Sequence, residues 1–178
     1  MSVRTVLHDA DINRALTRIS HEILESNKGS DGLVILGVPT RGVILAERIG
    51  SLVSEFGGRS VPVGSLDVTM YRDDLHRNPT RAPRPTAIPA GGIDGKVVVL
   101  VDDVLFSGRS IRAALDALQD IGRPAIVRLA TLIDRGHREL PIRPDFVGKN
   151  LPSARDERVF VRLAETDGEE AVTIEGTD

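Results

Sequence analysis

The chain has 178 residues, 40% apolar, 28% charged and only 3% aromatic, which suits one domain whose core is built from Val, Ile, Leu and Ala rather than a multidomain or disordered chain. It contains no cysteine, which excludes disulfides, thiolate metal sites and a cysteine nucleophile. The net charge of −3 argues against a general polyanion binder, but residues 165–178 hold six acids and no base, leaving 23 basic against 20 acidic residues elsewhere and room for a local basic face.

In chain order, Asp9 or Asp11 can cap a helix beginning near Ile12, whose apolar stripe is Ile12, Ala15, Leu16, Ile19 and Ile23, with Asn27-Lys28-Gly29 ending it. Residues 33–37 form a continuous apolar run of the kind a doubly buried strand needs. After the loop Val38-Pro39-Thr40-Arg41-Gly42, a second helix with stripe Leu45, Ile49, Leu52, Val53 and Phe56 runs to Gly57-Gly58. Residues 61–71 are expected to be a strand. The segment 72–95, with four prolines and four arginines, has the character of a long functional loop. Lys96 to Val101 predicts another buried strand, followed by the loop 102–109 and a helix with stripe Ile111, Ala114, Leu115, Leu118 and Ile121 that stops at Gly122.

Ala125 to Ile133 is a further strand, followed by the charged loop 134–141. Val159, Val161 and Leu163 alternate with polar residues, and Asp167-Gly168 offers a turn before Ala171–Glu175, so an antiparallel hairpin is expected there. Strands alternating with helices imply a parallel sheet, and ligands of such sheets bind at the carboxyl ends of the strands. The loops 37–42, 102–110 and 134–141 would all lie at those ends, which points to one shared site. No apolar run approaches the roughly 18 residues of a membrane span. The opening residues lack the apolar stretch of a signal peptide, so a cytoplasmic protein is expected.

The stretch Val97–Ser110 carries the most chemistry. An aliphatic strand delivers Asp102 and Asp103 at its end, and Ser107-Gly108-Arg109-Ser110 opens a helix. A helix N-terminus presents unpaired N–H groups and a positive dipole end, a ready phosphate site. Gly108 lets the backbone approach the phosphate, and the hydroxyls of Ser107 and Ser110 can add hydrogen bonds. Two carboxylates beside a phosphate would repel it unless they face ribose hydroxyls or a magnesium ion. The loop is neither a Walker A loop nor a dinucleotide loop, because Gly-Lys-Ser/Thr and Gly-x-Gly-x-x-Gly are both missing.

This pattern resembles the 5-phosphoribosyl-1-pyrophosphate (PRPP) motif of type I phosphoribosyltransferases. The resemblance implies an α/β fold with a central, mostly parallel sheet flanked by helices, a small hood and a flexible lid. It assigns Asp102 and Asp103 to the ribose, and Val104, Leu105, Phe106, Ser107, Gly108, Arg109 and Ser110 to the 5-phosphate. Thr40 and Arg41 would contact the departing pyrophosphate, and segment 72–95 would be the lid, with Arg72 reaching the pyrophosphate on closure. Arginine suits that task because its planar fork donates to two oxygens. Magnesium would be held mainly through PRPP, with Asp102 and Asp103 as candidate ligands.

Three stretches narrow the resemblance: residues 15–22, residues 71–75, and residues 134–143 with Gly148-Lys149-Asn150. Together they are similar to the bifunctional pyrimidine operon regulators, which are also uracil phosphoribosyltransferases. That family implies conversion of uracil and PRPP to UMP and pyrophosphate, with binding of pyrimidine-operon mRNA controlled by UMP or UTP. It also implies a homodimer or larger homo-oligomer. Uracil would sit under loop 134–141, held by backbone groups.

Arg14, Thr17, Arg18, His21 and Glu25 lie opposite the first helix's apolar stripe and form a polar face with a basic centre. His137, Arg138, Arg143 and Lys149 could extend it. Periodicity alone favours a plain solvated helix face; the family resemblance turns it toward RNA. Ser26 stands where the family commonly has another basic residue. Two other functions fit the same residues: a regulator whose PRPP site only senses nucleotide, and a phosphoribosyltransferase for another base without an RNA role.

Overall fold

The computed structural model describes residues 2–73 and 85–176. Much of the expected lid, residues 74–84 with Arg77, Arg81 and Arg84, lies outside the described residues.

Among the described residues, eight strands and four α-helices follow in the order β1 (Val3–His8), α1 (Asp9–Asn27), β2 (Leu33–Gly37), α2 (Arg41–Gly57), β3 (Val63–Ser65), β4 (Val97–Leu105), α3 (Arg109–Gln119), β5 (Ile126–Asp134), β6 (Phe146–Asn150), β7 (Arg158–Arg162), α4 (Ala164–Asp167) and β8 (Ala171–Glu175). Five of these strands form a parallel sheet in the order β3-β2-β4-β5-β6, and a smaller antiparallel sheet has the order β1-β8-β7. The β7–β8 pairing is the expected hairpin, with Val161 opposite Val172. The α4 turn is inserted between its strands.

Strand alternation sorts the central residues into two layers. Leu33, Ile35, Val99 and Val101 pack with Leu16, Ile19, Leu45 and Ile49 of α1 and α2, and with Val161, Leu163, Val172 and Ile174 of the small sheet. Val34, Leu36, Val98 and Leu100 pack with Ile111, Ala114 and Leu118 of α3. The helix after β2 therefore covers one face and the helix after β4 the other, although β2 and β4 are neighbours. The chain departs in opposite directions from adjacent strand ends, and that is where an open α/β sheet leaves a crevice.

Several elements differ from expectation. Residues 61–71 are not one strand: Val63–Ser65 pairs with β2, and Thr69–Tyr71 forms a 3-10 turn. Strands β1 and β6 carry no strong period-2 signal; β1 is stabilised by β8, at the other end of the chain, and β6 by β5, the strand before it. The acid pair does not follow β4 but lies within it, with Asp102 opposite Thr131. Alternation slips across the pair, since Val101 and Val104 pack in the same layer while Leu105 joins the other. Leu115 of α3 and Ile121, two residues past its end, belong to the expected stripe but are each 38% exposed, and Ala113 and Ala117 take buried positions. Small alanines let the helix lie close on the sheet.

Candidate functional site

The crevice is bounded by the N-termini of two helices. Helix α2 begins at Arg41 after Thr40, and α3 begins at Arg109 after Gly108. Both start just past the carboxyl ends of β2 and β4, so two sets of unpaired N–H groups and two positive dipole ends face one region. Close packing brings them together: the amide of Val38 donates to the carbonyl of Val101 at 2.9 Å. A Cβ on Gly42 would lie 2.6 Å from that carbonyl oxygen and 3.5 Å from Oδ1 of Asp102. The Pro39–Thr40 peptide is cis.

Between the helix ends stand the two acids. Asp102 is buried, and its Oδ1 accepts from the Asp103 amide at 2.9 Å, while Asp103 Oδ1 accepts from the Val104 amide at 2.8 Å. Burial, and then the neighbouring charge of Asp103, push the Asp102 carboxyl well above the ordinary aspartate value; the charge of Arg72 works the other way.

The phosphate-type loop is held from behind. Gly108 has φ 93°, which disfavours any side chain, and a Cβ there would come within 3.3 Å of Ile142. The Ser107 carbonyl accepts from the amides of Glu139 and Leu140, at 2.9 and 3.2 Å. Phe106 carries the Arg135 guanidinium 4.2 Å above its ring. Arg135 is itself buried, donating to Ser153 Oγ at 3.1 Å and to the Ala154 carbonyl at 2.9 Å, and desolvation lowers its pKa. Sequence reading assigned no role to Arg135; one charge among several in a loop carries no sign that it will be the buried one.

The first described residues of the expected lid lie over this loop. Arg72 Nη1 donates to Ser110 Oγ at 3.0 Å, and Asp73 accepts from Arg109 Nη1 at 2.5 Å. Arg109 also donates to Glu139 at 3.1 Å. Its side chain thus joins Asp73 to loop 134–141. Arg41 is held by a bidentate pair with Asp167, with Nη2 to Oδ1 at 2.5 Å and Nε to Oδ2 at 3.1 Å. Glu165 and Glu170 both clasp Arg48, and Glu175 meets Arg162. The acidic segment 165–178 is therefore not a detached charge excess, since these four acids balance arginines of the body.

On the RNA side the structure gathers some candidates and separates others. Arg14, Thr17, Arg18 and His21 line a shallow depression along α1, together with Asn13, Glu22 and Glu25. The His21 ring stacks on Phe56 of α2, with centroids 4.2 Å apart and planes 10° apart. This makes an aromatic platform from residues of two helices. Arg18 donates to the carbonyls of Val147 and Gly148, which puts β6 and its exposed Lys149 next to α1. His137 and Arg138 sit elsewhere, beside the phosphate-type loop. His137 Nε2 is 2.6 Å from the Ser153 carbonyl, and Arg138 is spent on the Ile142 and Phe106 carbonyls and on Asp134. Arg143 is exposed on the connection to β6.

A sheet with two phosphate-ready helix ends astride a carboxylate pair defines a class, and the Phosphoribosyl transferase domain model matches residues 2–163. The fold is shared with a hypoxanthine-guanine phosphoribosyltransferase of Bacillus anthracis (TM-score 0.72, 16% identity, 98% of each chain). It is shared likewise with a hypoxanthine phosphoribosyltransferase of Trypanosoma cruzi (TM-score 0.73, 17% identity, 98% of this chain and 97% of that one). The chain is 71% identical to the Bifunctional protein PyrR of Leifsonia xyli, over 98% of both, and 63% identical to that of Streptomyces coelicolor, over 96% of this chain and 89% of the relative. It belongs to the bifunctional PyrR family of phosphoribosyltransferases.

Proposed function

We propose that the chain transfers the phosphoribosyl group of PRPP to uracil, releasing pyrophosphate, and that it regulates pyrimidine genes by nucleotide-dependent binding of their mRNA. The observation that carries the first activity is the placement of buried Asp102 and half-buried Asp103 between the N-termini of α2 and α3. The α3 end receives the 5-phosphate on the backbone of residues 104–110. The α2 end, with Thr40 and Arg41, receives the pyrophosphate, and Arg72 closes over it. Asp102 and Asp103 hold the ribose hydroxyls. A uracil ring nitrogen attacks C1 of the ribose as the C1–O bond breaks with its electron pair going to pyrophosphate, and the nitrogen's proton passes to the departing pyrophosphate or to water. Positive charge gathers on the sugar, where fixed carboxylates favour it, so positioning and preorganised charge supply the catalysis.

Among the described residues no three His, Cys, Asp or Glu side chains cluster as a metal cage. Two adjacent carboxylates suit magnesium that arrives on PRPP, since this ion keeps several waters and takes few protein ligands. It would neutralise the pyrophosphate. The amides of Arg135, Gly136, Glu139 and Leu140 are already bonded inside the protein. This narrows the groups of loop 134–141 left to hold the base.

Incubation with PRPP, magnesium and a panel of bases tests this reading, with pyrophosphate release as the signal. Release with uracil alone is expected. Release with a purine or orotate instead would redefine the substrate, and binding of PRPP or UMP with no release for any base would leave a nucleotide sensor.

The α1 depression with its His21–Phe56 platform supports the RNA activity, because RNA readers stack unpaired bases on aromatic rings and anchor phosphates with arginine. Arg14, whose side chain is 72% exposed, is the clearest phosphate contact. Arg14→Ala is expected to reduce the slope of log affinity against log salt by about one without altering transferase turnover. An unchanged slope would place the RNA elsewhere. A homodimer or larger assembly would duplicate this face, and the reading places the protein in the cytoplasm. No helix among the described residues is long and apolar enough to cross a membrane.

A further inference from the structure

We propose that Asp167, in the turn between β7 and β8, is a positioning residue that presets Arg41 for the pyrophosphate of PRPP. The inference rests on the reading of Thr40 and Arg41 as the pyrophosphate loop.

Arg41 is the first residue of α2, where an anion would meet the helix end. Its Nε and Nη2 donate to the two oxygens of Asp167, and no other side-chain hydrogen bond of Arg41 forms among the described residues. One edge of the fork is fixed and Nη1 is left over. The charge of Asp103 also acts on Arg41, so the guanidinium lies within the influence of that acid as well as of Asp167. Asp167 is not a loose surface acid. Its Oδ2 also accepts from the Leu163 amide at 2.8 Å, and its side chain is 17% exposed. Glu165 and Glu170, on either side of it, bind Arg48, which lies on the face of α2 that carries Arg41, two turns on. The turn is therefore docked rigidly on α2 through two arginines, and only the Asp167 pair ends at the site.

An arginine free to sample rotamers loses that freedom when it grips an anion, and an arginine already held loses less. The pair is bidentate and partly sheltered, the geometry in which such interactions are strongest. Its function follows from that: Asp167 carries part of the ordering cost before the ligand arrives.

The test is calorimetric binding of PRPP and of pyrophosphate to the full-length protein, together with steady-state kinetics. Asp167→Asn is expected to weaken PRPP about three- to tenfold and to raise KM for PRPP while leaving KM for uracil in place. Asp167→Glu should recover part of the loss. Glu165→Gln, which loosens the same turn on Arg48, should lower the melting temperature without moving PRPP affinity. In an Arg41→Ala background the Asp167→Asn effect should vanish. Unchanged or tighter PRPP binding in Asp167→Asn overturns the proposal, as does an equal loss in Glu165→Gln, which would reduce Asp167 to a docking contact. If Arg41→Ala alone leaves PRPP affinity intact while Asp102→Asn lowers turnover, the assignment of Arg41 fails and the proposal with it. If neither variant has an effect, the reading of the whole site fails.

Discussion

Asp102→Asn and Asp103→Asn, made singly, are expected to lower turnover by about 100-fold or more, on the scale seen when one preorganised electrostatic group is lost. UMP affinity should fall much less, because amide side chains still hydrogen-bond to ribose hydroxyls while only the charged form favours a cationic sugar. The two variants should differ in stability. The Asp102 carboxyl is pushed up by burial and by Asp103, so above the ordinary value of 3.8 the folded state holds a proton that the unfolded chain has released. Stability therefore declines as pH rises from that value to the raised one. Asn at position 102 removes the penalty, so Asp102→Asn should melt no lower than the wild type at neutral pH. A lower melting temperature together with intact turnover would remove Asp102 from the catalytic assignment and make it a structural residue.

The second large effect is expected at Gly42, a position with no chemistry of its own. A methyl group there meets the Val101 carbonyl oxygen at 2.6 Å, a Cβ with no freedom to rotate away against a backbone atom, so one of the two must move. The same carbonyl accepts the Val38 amide, which ties the start of the loop to β4. Gly42→Ala should therefore push the Thr40–Arg41 segment away from Asp102. A displacement of about 1 Å in a positioned group can lower a rate about 100-fold. Gly50→Ala provides the contrast. Its added methyl meets the side chain of Val63, not backbone, and lies two turns further along α2. It should lower unfolding free energy by about 1–3 kcal/mol through overpacking while PRPP affinity holds. Denaturant melts and PRPP titrations of both variants decide the matter: equal turnover in Gly42→Ala and the wild type would mean that the contact between the loops does not set the active geometry.

Much of this molecule was legible in the chain alone, for local reasons. The runs 33–37 and 97–101 are aliphatic on both faces and could only be central parallel strands. Helical stripes showed where α1 and α2 turn their apolar sides, and an acid pair followed by Ser-Gly-Arg-Ser at a helix start marked the phosphate-type loop. What the chain concealed depends on distance. Strand β1 exists because the distant β8 pairs with it, and no periodicity of its own announces that. The acids lie inside β4, since the ladder to Thr131 extends the strand past the point where the apolar run stops. Arg138, by composition a candidate for RNA, is consumed by two carbonyls and Asp134. Arg41 and Asp167 are 126 positions apart in sequence yet 2.5 Å apart in space. Sequence pattern carries the period of an element and the chemistry of a loop, because both are set by near neighbours. Which charges meet, and which are spent within the protein, was decided only when the sheet brought the ends of β2, β4 and β5 together and the β7–β8 turn came down on α2.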